Sequence, residues 1–343
     1  MSLLHYSGLT TKVRAMSGKL LAQEDFLQLG SLKSVPEVIA FLKKKPSYAD
    51  FLEKEDERGL HRGQAEGIIM QSLFADYSRL YRFGNMEQRR FLKGYFIRYE
   101  ITFLKRVIRS VFSQDATGID TEEYRELFEL HSSIPVNRAL HASSMEELIS
   151  TLDGTDYQKV LNDVYKSNSR ELFDYELALD MFYFADMWHR VKRGMKAEDQ
   201  QAILSSAGTQ IDTLNLQWIY RAKKYYHMSA AQVYAMIIPI HYRLSREQIK
   251  RMAEAADEKE FLAEAEASRY GKYLKEGSLP NLDRSMEAVQ EAVHDVLLRR
   301  KPYTAACLEV YLYRKEREVH KVITALECVR YGLPSEKIRA YLG

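Results

Sequence analysis

The stretch Ser34-Val-Pro-Glu-Val-Ile-Ala-Phe-Leu-Lys-Lys-Lys-Pro-Ser-Tyr-Ala-Asp-Phe-Leu52 reads as a capped helix start, Ser34 with Glu37, followed by a tyrosine and, four residues on, a leucine. The same order returns twice, as Ser144/Glu147 before Tyr157/Leu161 and as Asp257/Glu260 before Tyr270/Leu274. The tyrosines lie 109 and 113 residues apart. That period is too long for a short-unit solenoid and long enough for a small helical bundle. Residues four apart share one face of a helix, so each Tyr/Leu pair is read as packing that pins a short helix to longer ones.

Long helices are legible between these starts. Phe96, Tyr99, Phe103, Val107 and Val111 recur at steps of three and four, with Leu104 and Ile108 widening the stripe. Ile211, Leu214, Trp218, Ala222 and Tyr225 form a second stripe. Leu308, Leu312, Val319, Val322, Leu326 and Val329 form a third, interrupted by Lys315. Aligned on an acidic residue, these stripes place Glu100, Asp212 and Glu316 together, each seven residues before an apolar one, Val107, Ile219 and Ile323. A further echo links Tyr226-His-Met-Ser-Ala-Ala-Gln-Val233 to Tyr331-Gly-Leu-Pro-Ser-Glu-Lys-Ile338, each a helix end followed by a short amphipathic helix. The first copy runs instead into the polar linker Ser113-Gln-Asp-Ala-Thr-Gly118. The expectation is an all-α chain of three pseudo-equivalent helical-bundle repeats, over residues 1–118, 119–238 and 239–343.

Composition narrows the function classes. Of 343 residues, 46% are hydrophobic and 29% charged, which suits a globular protein with a large core. Basic and acidic residues nearly balance at 50 and 48, which argues against a nucleic-acid coat or binding to acidic lipid by charge alone. Cys307 and Cys328 sit among apolar neighbours and are expected as buried thiols of a reducing compartment. No signal peptide is expected, since Met1 to Tyr6 lacks a basic start and an apolar run. The longest nearly apolar stretch, residues 230–240, is broken by Gln232 and Pro239 and falls short of a membrane span of roughly 20 residues. A cytosolic protein is expected, attached to a membrane only through a partner.

Catalytic chemistry is scarce. A phosphate loop needs a glycine run ahead of a helix; Gly59, Gly63 and Gly67, spaced by four, form a solvated helix start instead. Asp186-x-x-His189 and Glu291-x-x-His294 have the spacing of di-iron helical bundles, for which a glutamate from each of two other helices, Glu176 or Glu100 among them, would be needed; ordinary surface pairing is the preferred reading. The run Arg221-Ala-Lys-Lys-Tyr-Tyr226 has the makings of a nucleic-acid contact, but Tyr225 continues an apolar stripe and the lysines then sit at a helix end that favours positive charge. No catalytic residue, metal ligand or cofactor site is expected. The bare repeat also suits a helical scaffold of another complex, and the acid–histidine steps a ferritin-like metal protein.

Three stretches together carry a resemblance. They are Ala15-Met-Ser-Gly-Lys-Leu-Leu21 with Asp25-Phe26; Thr213-Leu-Asn-Leu-Gln-Trp-Ile-Tyr-Arg-Ala-Lys-Lys-Tyr-Tyr226 with Ile238-Pro-Ile-His-Tyr-Arg-Leu244; and Val329-Arg-Tyr-Gly-Leu-Pro-Ser-Glu-Lys-Ile338. In this order they resemble the C subunits of the archaeal and bacterial V/A-type ATPases, the counterparts of the eukaryotic V-ATPase d subunit, over nearly the whole length. The resemblance implies an all-helical funnel of three similar units that binds no nucleotide and catalyses nothing itself. Its mouth would receive the central-stalk axle subunits (D/F type), and its base would sit on the membrane proteolipid ring. It would thus couple ATP turnover to proton or sodium movement from the cytoplasmic face. Arg14, Ser17 and Lys19 on the first helix, and Arg221 and Lys223 in the second unit, are the candidate interface residues.

Overall fold

The structure, a computed structural model, describes residues 2–57, 59–60, 62–114, 122–167, 171–274 and 282–342. Among these residues every regular element is helical and there is no strand. The chain begins with α1 (Ser2–Ser17), α2 (Gln23–Leu29), α3 (Val35–Lys43), α4 (Ala49–Leu52), α5 (Arg62–Phe83) and α6 (Met86–Ser113). Next come α7 (Glu122–His131), α8 (Val136–Leu140), α9 (Met145–Thr151), α10 (Asp156–Lys166), α11 (Leu172–Gly194) and α12 (Ala197–Lys224). The last are α13 (Ala230–Met236), α14 (Arg246–Glu254), α15 (Glu258–Glu266), α16 (Leu282–Arg300), α17 (Ala306–Arg330) and α18 (Ser335–Leu342), with a 3-10 turn at Gly271–Tyr273 before α16. Two compact units result: Met1–Leu172 together with Cys307–Gly343, and Phe173–Ala306.

The three capped starts form as the sequence predicts. Ser34 Oγ accepts from the Glu37 N–H at 3.3 Å, Ser144 Oγ from Glu147 at 3.2 Å and Asp257 Oδ1 from Glu260 at 2.8 Å. Each glutamate also reaches back past the cap, to the N–H of Lys33 (2.9 Å), Ser143 (2.9 Å) or Ala256 (2.6 Å). These contacts satisfy donors that a helix start otherwise leaves open.

The first two long stripes pack largely as read. On α6, Phe96, Tyr99, Phe103, Leu104, Val107 and Ile108 are buried and Val111 is half-buried. On α12, Ile211 and Ala222 are buried while Leu214 and Trp218 are half-buried, but Tyr225 is not part of the stripe. It caps the helix and is 62% exposed, beside Tyr226 at 69%. Helical spacing overreached by one turn because the helix stops at Lys224.

On α17 the interruption in the stripe is itself core: Lys315 is fully buried. Its ammonium lies 2.8 Å from Glu318 Oε1 and 4.3 Å from the centre of the Tyr48 ring, so a carboxylate and an aromatic face replace the water it has lost.

Glycine is required at one close crossing in the second unit. A Cβ on Gly208 of α12 would stand 2.3 Å from the Tyr242 ring, which lies where any larger residue would project. Around α12, the buried residues Leu216, Ile219, Val233, Leu244, Ile249, Met252, Phe261, Tyr270 and Met286 form that unit's core.

Candidate partner surfaces and the carboxylate latches

The repeated tyrosines are buried, and each hydroxyl donates to a buried carboxylate on a long helix. Tyr157 donates to Glu100 Oε2 at 2.6 Å, Tyr270 to Asp212 Oδ2 at 2.8 Å, and Tyr48 to Glu318 Oε1 at 2.8 Å. Two of the acids are those aligned from sequence. The third is Glu318 rather than Glu316; the two differ by two residues, and a helix turns them to different faces. Glu316 instead accepts from Tyr95 (3.1 Å) and Tyr99 (2.7 Å) of α6 and pairs with Arg98 at 3.2 Å.

Each latch carboxylate also anchors a chain segment arriving ahead of its tyrosine. Asp212 accepts the N–H groups of Tyr242 (3.3 Å), Arg243 (2.7 Å) and Leu244 (3.1 Å). Glu318 accepts the Leu21 N–H at 2.5 Å, and Glu100 accepts from Ser132 Oγ, which in turn accepts the Ile134 N–H at 3.0 Å. Burial raises the pKa of Asp212, and the three N–H donors with Tyr270 oppose that rise. Burial and the adjacent carboxylates push Tyr48 and Tyr270 far above the ordinary tyrosine range, so both remain hydroxyl donors.

The helices bearing the acids also stop alike. The chain turns left-handed at Gln114 (φ 53°), His227 (φ 49°) and Gly332 (φ 65°), which lie 14, 15 and 14 residues after Glu100, Asp212 and Glu318. The Leu333 N–H closes the last of these on the Cys328 carbonyl at 3.0 Å, and the Met228 N–H closes the second on Ala222 at 3.0 Å. The echo between residues 226–233 and 331–338 is therefore a shared helix stop, followed by α13 and α18. Gln114 extends it to the first copy, whose linker from 115 to 118 lies outside the described residues.

The candidate interface residues fall into two groups. Arg14, Ser17 and Lys19 are exposed at the end of α1 and just beyond it. Ser17 Oγ donates to the Val13 carbonyl at 2.9 Å, and the Lys19 carbonyl accepts from Ser47 Oγ at 2.7 Å. In the second unit Arg221 is exposed and ion-paired to Asp283 at 2.6 Å, while Lys223 is half-buried. Lys224 lies over the rings of Tyr220 and Tyr225, at 5.1 Å and 5.6 Å.

The acid–histidine steps are engaged elsewhere. Asp186 pairs with Arg190 at 2.5 Å. His294 is fully buried, its Nε2 2.9 Å from Ser206 Oγ and 2.8 Å from Gln290 Nε2, which joins α16 to α12. No cluster of three or more histidine, cysteine or acidic residues suited to a metal occurs among the described residues. Cys307 and Cys328 are buried thiols. No helix among the described residues is long and apolar enough to cross a membrane.

One surface feature went unread in the apolar periodicity. From Gln88 to Ser113, α6 carries seven basic residues and a single acid, the buried Glu100. Arg98, Lys105 and Arg109 fall on one face at steps of seven and four, around the exposed Thr102. Arg98 is held by Glu316 and by the Tyr95 ring, 4.7 Å away. The like-signed charges between apolar positions were the signal available in the sequence.

A profile of the family described as ATP synthase (C/AC39) subunit matches residues 9–341. The A-type ATP synthase C subunit of Methanosphaera stadtmanae is 26% identical, over 98% of this chain and 87% of its own. That of Pyrococcus abyssi is 25% identical over 98% and 90%, and that of Methanocaldococcus jannaschii 24% over 98% and 86%.

Proposed function

Because the chain belongs to the ATP synthase (C/AC39) subunit family, and so is a subunit of an A/V-type ATPase, we propose that it is the non-catalytic rotor subunit of the central stalk, coupling the axle to the membrane proteolipid ring. In this reading its three helical repeats, 1–118, 119–238 and 239–343, form a funnel whose mouth takes the axle subunits. Its base rests on the ring at the cytoplasmic face, and torque passes through it during ATP-linked proton or sodium transport.

The observation that carries the reading beyond the family is the thrice-repeated latch. A torque coupler must not yield between its two contacts, and close-packed helical interiors deform little. Buried tyrosine–carboxylate ties add directional fastening where short helices meet long ones. Arg14, Ser17, Lys19, Arg221 and Lys223 are retained as interface candidates. For Arg221, the partner would compete with Asp283 for the guanidinium.

A tagged chain isolated from its native host should bring down both the axle subunits and the proteolipid ring. Recovery of neither overturns the rotor role. Arg221→Glu should weaken assembly onto the ring without unfolding the chain; unchanged assembly removes Arg221 from the interface.

A further inference from the structure

We propose that the Asp153-Gly154 step, in the turn between α9 and α10, is a self-modifying site of the folded chain: it closes to a succinimide and reopens as an isoaspartyl link, and this loosens the Tyr157–Glu100 latch. The proposal is independent of the rotor reading, since it concerns the chain's own chemistry.

Asp153-Gly154 is the only Asp-Gly pair in the 343 residues, and there is no Asn-Gly pair. Glycine after the acid matters because it has no side chain to shield its nitrogen from the neighbouring carboxyl. The fold presents both partners. The turn is closed by the Thr155 N–H on the Leu152 carbonyl at 3.0 Å, so Asp153 and Gly154 are its two central residues. Gly154 holds φ 78°, as the third residue of a type II turn does. The closing bond does not use the Gly154 N–H, and among the described residues that group donates no hydrogen bond. Both residues are exposed, and no atom beyond the chain neighbours lies within 4 Å of where a Gly154 side chain would begin. The imide ring and an attacking water both have room there.

The chemistry needs no oxidant, cofactor or second protein. The Gly154 nitrogen attacks Cγ of Asp153, a new C–N bond forms, and the carboxyl hydroxyl leaves as water with the amide proton. Water then opens the ring. Attack at Cγ restores aspartate. Attack at the former main-chain carbonyl leaves the chain running through Cβ and Cγ, with a free α-carboxylate. The product has the same mass and one more methylene in its main chain.

That extra length has little slack to enter. Upstream, Leu152 is buried, its N–H bonded to the Leu148 carbonyl at 3.2 Å. Downstream, Thr155 caps α10, its Oγ1 donating to the Leu152 carbonyl at 2.7 Å and accepting from the Gln158 N–H at 3.4 Å. Just past the cap, Tyr157 is buried with its hydroxyl 2.6 Å from Glu100 Oε2. The turn therefore sets where α10 starts, and the latch depends on that start. The corresponding segments before Tyr48 and Tyr270, Lys45-Pro-Ser47 and Ala267-Ser-Arg269, contain no such step, so the change acts on one latch and spares the other two.

The test holds the full folded chain at physiological temperature and pH for weeks. The probe is purified protein isoaspartate methyltransferase with labelled S-adenosylmethionine, which esterifies the α-carboxylate that an isoaspartyl link exposes. Label should rise several-fold over fresh protein and map to the tryptic peptide Ala139–Lys159, in which endoprotease Asp-N should lose its cut before residue 153. Asp153→Glu, whose imide would be a larger and slower-forming ring, should lose the label in that peptide. Asp153→Ser serves if the glutamate disturbs the turn, and circular dichroism checks both folds. Hydrogen exchange in α10 should be faster in aged than in fresh wild type, and unchanged by ageing in either variant. A folded wild type whose peptide gains no more label than the variant's overturns the site. Full labelling with unaltered exchange in α10 overturns its effect on the latch.

Discussion

The hydroxyl of Tyr48 donates to Glu318 across 270 residues of sequence, joining the first capped segment to the last long helix. In the other two latches the acid precedes its tyrosine by 57 and 58 residues. For Tyr48 the acid stands on α17, so this latch ties Met1–Leu172 to Cys307–Gly343 within the first unit. Each Tyr→Phe change leaves a buried carboxylate one donor short and should cost about 1–3 kcal/mol in denaturant unfolding. Hydrogen exchange distinguishes the sites: Tyr48→Phe should raise exchange in α17, and Tyr270→Phe should raise it in α12. A loss below a few tenths of a kcal/mol at all three positions would mean that the latches do not fasten the repeats.

Lys315 makes a harsher test of the same latch. Lys315→Met fits an aliphatic side chain into the space but leaves Glu318 charged and buried, with Tyr48 and the Leu21 N–H as its remaining donors among the described residues. Removing one partner of a buried pair typically costs about 3–5 kcal/mol. Adding Glu318→Gln removes the stranded charge and should recover part of that loss. Urea titration of the two single variants and the double variant gives the coupling directly; additive losses would show that the ammonium and carboxylate do not act as a pair.

His320 offers a pH-dependent readout. Its folded pKa lies below the ordinary 6.5, through crowding first and then Arg98 and Arg106, with Glu316 in opposition. A lowered histidine pKa means that the unfolded chain binds the proton more readily. The stability it contributes is therefore present above about pH 6.5 and lost as pH falls through the folded value. Imidazole NMR should place the midpoint below 6.5, and Arg106→Gln should move it upward. A midpoint at or above 6.5 would show that crowding and the arginines do not outweigh Glu316 at the ring.

The helical class and the tyrosine repeat were legible because both rest on local chemistry: caps fix helix starts, and apolar spacing of three and four fixes buried faces. What escaped was decided at longer range. Nothing local distinguishes Glu316 from Glu318; only the arrival of Tyr48 and Leu21 on one side of α17, and of Tyr95 and Tyr99 on another, separates them. Lys315 looked like a break in the stripe because burial of a lysine depends on a carboxylate and a ring that the fold supplies. Tyr225 looked buried because periodicity carries no information about where a helix stops; the left-handed turn two residues later decides that.

Those left-handed stops lead to a pair of opposite predictions. Gly332 adopts φ 65° without steric cost, whereas His227 holds φ 49° at the corresponding position with a full side chain. If the two stops are equivalent, the same backbone requirement is met well in one copy and poorly in the other. Gly332→Ala should therefore destabilise the chain by roughly 1 kcal/mol, and His227→Gly should stabilise it, by up to about 1 kcal/mol. The turns themselves should survive both changes, because the Leu333 and Met228 N–H groups still close onto the preceding helices at 3.0 Å. Thermal unfolding of the two variants measures the signs. If His227→Gly destabilises instead, the imidazole contributes something at that stop that its backbone geometry does not reveal, and the second copy is not a strained version of the third.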